Sequence, residues 1–240
     1  KRVPLDMEKE ASVTHAVGQA RPEVVFHLAA AGATDPKIKA QKALRVNVSG
    51  LIYLLEALLG SGVRRVVLTG TCHEYGAQET QEGVDPFTAY AASKVAAWAF
   101  GRNYWHMHGL PTVTVRPFQV YGPGQPTHTL VPSAIRAALD GGNFAMTAGE
   151  QARDFIYVDD IVEGMMTAAM ADGIAGQSLD LGTGTATPIR EAVRRIWELT
   201  DAPGEIELGA LPYRTGEVMH LVADAERTYE ATLVLTTDDP

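Results

Sequence analysis

A doubly wound α/β fold around a parallel sheet is what this sequence predicts, and three observations carry it. Three short apolar runs, Val24–Ala30, Arg65–Thr71 and Thr112–Pro117, are rich in β-branched residues and give way abruptly to small, hydroxyl, Gly or Pro residues. Segments with apolar residues at helical spacing lie between them. The third observation is Tyr90 followed four residues later by Lys94, at the start of one of those helices. Strands buried on both faces and alternating with helices share a carboxyl edge, where such folds seat their ligands.

The elements follow in order. Ser12–Gln19 predicts a short helix before the strand at Val24–Leu28. Lys39–Leu59 places Leu44, Val48, Leu51, Leu55 and Leu58 close to helical period. Tyr90–Met107 is a long helix ended by Gly109 and Pro111, and Thr129–Leu139 is a third, closed by Gly141 and Gly142. A helix opens at Asp159 with Asp160 as its cap and lines up Ile161, Met165, Ala168 and Ala169. Ser178–Gly182 is a short strand, and Thr187 is expected to cap a helix whose first residue is Pro188. The division falls near Gly122–Pro126. Residues 1–122 build the sheet, and 123–240 form a smaller lobe that partly interleaves with it.

Composition narrows the function. The 240 residues carry a formal net charge of −9, which argues against nucleic acid, whose binding runs on clustered Lys and Arg. A few placed arginines still allow an anionic small molecule. No apolar run approaches the ~20 residues that span a bilayer, and no signal peptide opens the chain. A single cysteine, Cys72, forms no internal disulfide, which suits the cytoplasm.

Chemistry enters with Tyr90 and Lys94. On a helix this spacing puts both on one face, one turn apart. A nearby ammonium is expected to favour the phenolate and let the tyrosine trade protons near neutral pH.

The blocks His27-Leu-Ala-Ala, Asn47-Val-Ser-Gly, Thr71 through Glu74-Tyr-Gly, Tyr90-Ala-Ala-Ser-Lys94, Arg116-Pro-Phe-Gln-Val-Tyr-Gly-Pro-Gly, Arg153-Asp-Phe-Ile-Tyr-Val-Asp-Asp and Pro212-Tyr-Arg-Thr-Gly-Glu217 stand in one order. Together they resemble the extended short-chain dehydrogenase/reductase family, in its nucleotide-sugar epimerase/dehydratase branch. The resemblance runs from about Asp6 to about Leu233 and implies a Rossmann-like sheet binding NAD or NADP, a nucleoside-diphosphate sugar as substrate, and a homodimer. It aligns Lys1–Asp6 with the family's third strand, so that about 50 residues, with two strands and the Gly-rich pyrophosphate loop, are expected upstream. After Asp224 the chain departs from the family's closing Leu-Gly-Trp pattern.

The resemblance also implies roles. Thr71, Tyr90 and Lys94 are the catalytic set. Asp6, Ala29, Ala30, Asn47 and Pro117 join Tyr90 and Lys94 around the cofactor. His73, Gln119, Arg153, Arg214 and Glu217 take the substrate, the two arginines on its diphosphate. Sugar 4,6-dehydratases keep an acidic pair where this chain has Cys72-His73. Elimination of water needs both a base and an acid, so epimerisation or 4-keto reduction is the expected reaction and dehydration the alternative. A truncated, non-catalytic binding module and an oxidoreductase of non-nucleotide ketones are the rivals; the arginines count against the second.

Overall fold

The computed structural model describes residues 2–35, 37–77, 83–214 and 216–224. The strands are β1 (Val24–His27), β2 (Arg65–Thr69), β3 (Thr112–Pro117), β4 (Gln119–Tyr121), β5 (Phe144–Met146), β6 (Ala152–Arg153), β7 (Phe155–Tyr157), β8 (Ser178–Leu181), β9 (Thr187–Pro188), β10 (Ile206–Leu208) and β11 (His220–Leu221). The helices are α1 (Glu10–Ala20), α2 (Ala40–Ala43), α3 (Gly50–Leu58), α4 (Ala89–His108), α5 (Leu130–Leu139), α6 (Val158–Met170) and α7 (Ile189–Thr200).

The main sheet is all-parallel, in the order β1-β2-β3-β8. Side chains alternate across it with the period of two that a strand imposes. Val66 and Leu68 of β2 pack with Val13 of α1, Leu51, Leu54, Leu55 and Leu58 of α3, and Tyr104 of α4. Val67 of β2 joins Val113 and Val115 of β3 on the other face, against Ile161, Ala168 and Ala169 of α6. Helices therefore cover both faces, and the sheet is doubly wound. A separate cluster, with Ala134, Ala138, Met146, Val193 and Trp197, holds α5 and α7 on the paired β5 and β10. The chain half beyond residue 122 returns β8 and α6 to the main sheet.

Several local expectations are corrected. Residues 2–6 form no strand. A strand exists through its ladder, and Pro4 lacks a donor. The helix expected over Lys39–Leu59 is continuous only through a π segment at Leu44–Ser49, which turns the buried Asn47 inward. Asp160 does not cap α6. Tyr157 holds that position without a side-chain bond, and Asp159 and Asp160 lie in the first turn, where acidic groups suit the helix dipole. Thr187 and Pro188 pair with Arg153 and Ala152 instead of opening α7, which starts at Ile189. The departure after Asp224 lies outside the described residues.

Candidate active site

The site is built on the carboxyl edge of the main sheet. Beyond β1, Ala29 and Ala30 are exposed. Beyond β2, Gly70 leads to Thr71, which caps a 3-10 turn over Cys72–Glu74. Thr88 caps α4 by accepting from the Ala91 N–H at 3.1 Å, and this fixes Tyr90 and Lys94 on the first turns of that helix.

Thr71 and Tyr90 come together on this edge, the Thr71 hydroxyl close enough to act on the phenol. Thr71 Oγ1 also accepts weakly from the His73 N–H at 3.4 Å. Lys94 is buried, with Nζ 5.9 Å from the centroid of the Tyr90 ring and donating to the Thr69 carbonyl at 2.6 Å. Burial pulls this ammonium down to about 8. The expectation that Lys94 drives Tyr90 toward phenolate is corrected. The phenol is pushed up to about 12, chiefly by burial and then by Cys72 and Glu74, while the Thr71 hydroxyl works the other way.

Asn47 is 2% exposed, and its amide is committed to protein. Its oxygen accepts from the Ala31 N–H at 2.7 Å, and its nitrogen donates to the Ala31 carbonyl at 2.9 Å and to Ser93 Oγ at 2.8 Å. It ties the loop after β1 to α4. Asp6 is exposed, accepting from the Glu8 N–H at 3.0 Å and pairing with Lys9 at 3.2 Å. Pro117 ends β3 opposite Leu181.

Toward the second lobe, Arg153 is buried and paired with Glu217 at 2.8 Å. Arg214 is exposed on the turn that the Glu217 N–H closes by donating to the Arg214 carbonyl at 3.1 Å. The Gln119 N–H donates to the Asp154 carbonyl at 2.9 Å. His73 meets solvent, yet its surroundings and then Arg153 hold it below its ordinary value. The Cys72 thiol is buried and pushed up to about 12, which leaves it inert near neutral pH.

The sequence profile of the NAD dependent epimerase/dehydratase family matches residues 1–182. The chain belongs to that family. It is 33% identical to a UDP-glucose 4-epimerase of Mycolicibacterium smegmatis over 237 residues, covering 92% of this chain and 73% of that protein. A dTDP-D-glucose 4,6-dehydratase of Mus musculus is 29% identical over 195 residues, 77% of this chain and 55% of its own length. Among solved structures, the UDP-glucose 4-epimerase of Thermotoga maritima with UDP-glucose superposes with a TM-score of 0.86 at 25% identity, over 94% of this chain and 75% of the other. MoeE5 in complex with UDP-glucose and NAD gives 0.81 at 30% identity, over 93% and 75%.

The residues present fit the nicotinamide end of the family's cofactor. Alanines keep the end of β1 open, and Lys94 supplies a buried cation beside Tyr90 on the same edge.

Glu74, Arg116, Asp180 and Ser93 join the site without having been singled out by sequence reasoning. The signal was available for one of them. Arg116 is a charge inside a run that reads as a fully buried strand, and such a charge needs a partner.

Proposed function

We propose that this family member acts on a nucleoside-diphosphate sugar at C4, as an epimerase or a 4-keto reductase using NAD. The observation that supports it most directly is the buried Lys94 Nζ 5.9 Å from the Tyr90 ring, with Thr71 beside the same phenol. Bound NAD would supply the capacity to take up and give back a hydride. Tyr90 Oη exchanges the proton of the sugar C4 oxygen, and the Thr71 hydroxyl holds that oxygen and passes the proton to and from Tyr90. Lys94 and Tyr90 hold the nicotinamide ribose, with Ala29, Ala30 and Pro117 lining the cofactor side. Arg153 and Arg214 grip the diphosphate as forked donors, with Glu217, Gln119 and His73 around the sugar nucleotide. Residues 1–122 supply the cofactor side and 123–240 most of the substrate side. A cytoplasmic homodimer completes the reading, and sedimentation equilibrium checks the dimer.

Dehydration is the second reading, favoured by the likeness to the mouse dehydratase. Cys72 counts against it. A buried thiol held near about 12 is a poor acid or base for elimination, and the acidic Glu74 nearby is sealed in an ion pair. Incubating the protein with UDP-, dTDP-, GDP- and CDP-hexoses and NAD, and separately with the corresponding 4-keto sugars and NADH, and following products by mass and stereochemistry, tests the proposal. A new stereoisomer of unchanged mass supports epimerisation. A 4-keto sugar gaining two hydrogens supports reduction, and loss of water overturns both.

A further inference from the structure

We propose that Glu74, anchored by Arg116, is a positioning residue that sets the Thr71 hydroxyl against the Tyr90 phenol from beneath the site. The inference rests on the C4 reading above and adds residues to it. Glu74 has no solvent exposure, and its carboxylate is divided between two tasks. Oε1 accepts from the Thr71 N–H at 2.9 Å, and Oε2 accepts from Arg116 Nε at 2.8 Å. Arg116 is itself fixed between two rings, its guanidinium carbon 5.2 Å from the Tyr75 centroid and 5.3 Å from that of Trp98. It also donates to Tyr75 Oη at 3.3 Å, and Tyr75 donates to Asp180 at 2.7 Å. A polar chain thus runs from β8 through β3 to the backbone of Thr71, beside Tyr90.

Room for it is built in at Gly70. A Cβ there would stand 2.5 Å from Glu74 Oε1 and 3.1 Å from the Arg116 side chain. A buried ion pair is weak ground for stability, since apolar residues of like volume often serve as well. A carboxylate nevertheless makes a stronger and more directional bond to a backbone N–H than a neutral group does. The Thr71 backbone, and with it the direction of Oγ1, is what that bond holds. Cys72 and Lys94 also face Tyr90 and Thr71, Asp180 and Arg153 lie behind, and Glu74 adds a negative charge that favours the protonated forms of Tyr90 and Lys94.

The test compares Glu74→Gln and the double variant Glu74→Leu/Arg116→Leu with wild type, on whichever of UDP-, dTDP-, GDP- and CDP-hexose wild type turns over. Loss of one partner alone can unfold the protein, and the double variant removes the buried charge altogether. The expected result is a fall in kcat of about ten- to a hundredfold, with KM within about threefold. In Glu74→Gln the pH profile should also move to lower pH. In a Thr71→Ala background the Glu74 effect on kcat should largely vanish. Wild-type kcat and pH profile in folded variants overturn the proposal, as does a loss that adds in full to that of Thr71→Ala. Tyr90→Phe is run beside them, and retained activity there is a failure of the C4 reading instead. Hydrogen exchange of the Thr71 amide then decides positioning without turnover: faster exchange in the double variant upholds it, and unchanged exchange overturns it.

Discussion

Tyr90 and Lys94 show how differently burial acts on an acid and a base. Both are pushed toward their neutral forms, the phenol up to about 12 and the ammonium down to about 8. Tyr90→Phe should lower turnover about 10²–10⁴-fold while sugar-nucleotide binding persists, since it removes the transferable proton and little else. Steady-state kinetics beside calorimetry checks it, and activity within a few-fold of wild type would count against the assignment. Lys94 carries a stability cost. Its folded value lies below its ordinary 10.5, so the cost is full below pH 8 and fades as the pH rises toward 10.5. Lys94→Met should therefore abolish turnover yet raise stability at pH 7 by on the order of 1–3 kcal/mol, read from urea unfolding. A less stable variant would mean that the bond to the Thr69 carbonyl outweighs burial.

At the scale of elements, α4 is the piece whose seating matters most. It packs against β2 at Gly101, where a Cβ would meet Leu68 Cδ1 at 2.4 Å. Alanine is ordinarily the better helix residue by about 1 kcal/mol. Gly101→Ala should nevertheless destabilise by about 1–3 kcal/mol, because the overlap pushes α4 off the sheet. Thermal unfolding gives the sign, and a gain in Tm would show that Leu68 yields freely. The π segment plays the complementary part on the preceding helix. Extra residues in a helical turn rotate Asn47 inward, where it reaches Ala31 and Ser93 together. Asn47→Ala leaves the half-buried Ala31 backbone groups and the buried Ser93 hydroxyl short of a partner and should cost about 1–3 kcal/mol in urea unfolding.

For the whole molecule, stability and site are joined through His27 at the end of β1. It is buried and held down to about 4, first by burial and then by the Lys94 ammonium. Its folded value lies below its ordinary 6.5, so the unfolded chain takes up the proton first as the solution is acidified. Its contribution is whole above about pH 6.5 and is lost as the pH falls through about 4, for a total of about 3 kcal/mol. Urea midpoints measured between pH 7 and 4 should fall, and His27→Gln should flatten that limb. An unaltered slope in His27→Gln would assign the acid loss to other groups. Asp154, between β6 and β7, joins distant stretches of the chain in a similar way. Asp154 accepts from the N–H groups of Thr183, Gly184 and Ala223 at 2.8, 2.9 and 3.1 Å, holding the turn after β8 to the chain after β11.

Sequence alone determined the strands of the sheet, the helices between them and the nearness of Tyr90 and Lys94. Each of these is written in short-range pattern: β-branched runs ending in small residues, apolar period, and a four-residue spacing that a helix turns into a shared face. The same reasoning missed where α6 and α7 begin and where the helix before β2 widens into a π segment. Those boundaries are set by neighbours, such as the pairing of β9 with β6. It also misjudged the direction in which the Tyr90 phenol is shifted, because a spacing conveys which groups are close and not how much water they have lost. The Glu74–Arg116 pair joins residues 42 positions apart, one in the 3-10 turn beyond β2 and the other on β3. Only the tertiary structure decided it, since which residue of β3 lies beside the turn after β2 depends on the register of the two strands and on burial, which no local stretch of chain contains.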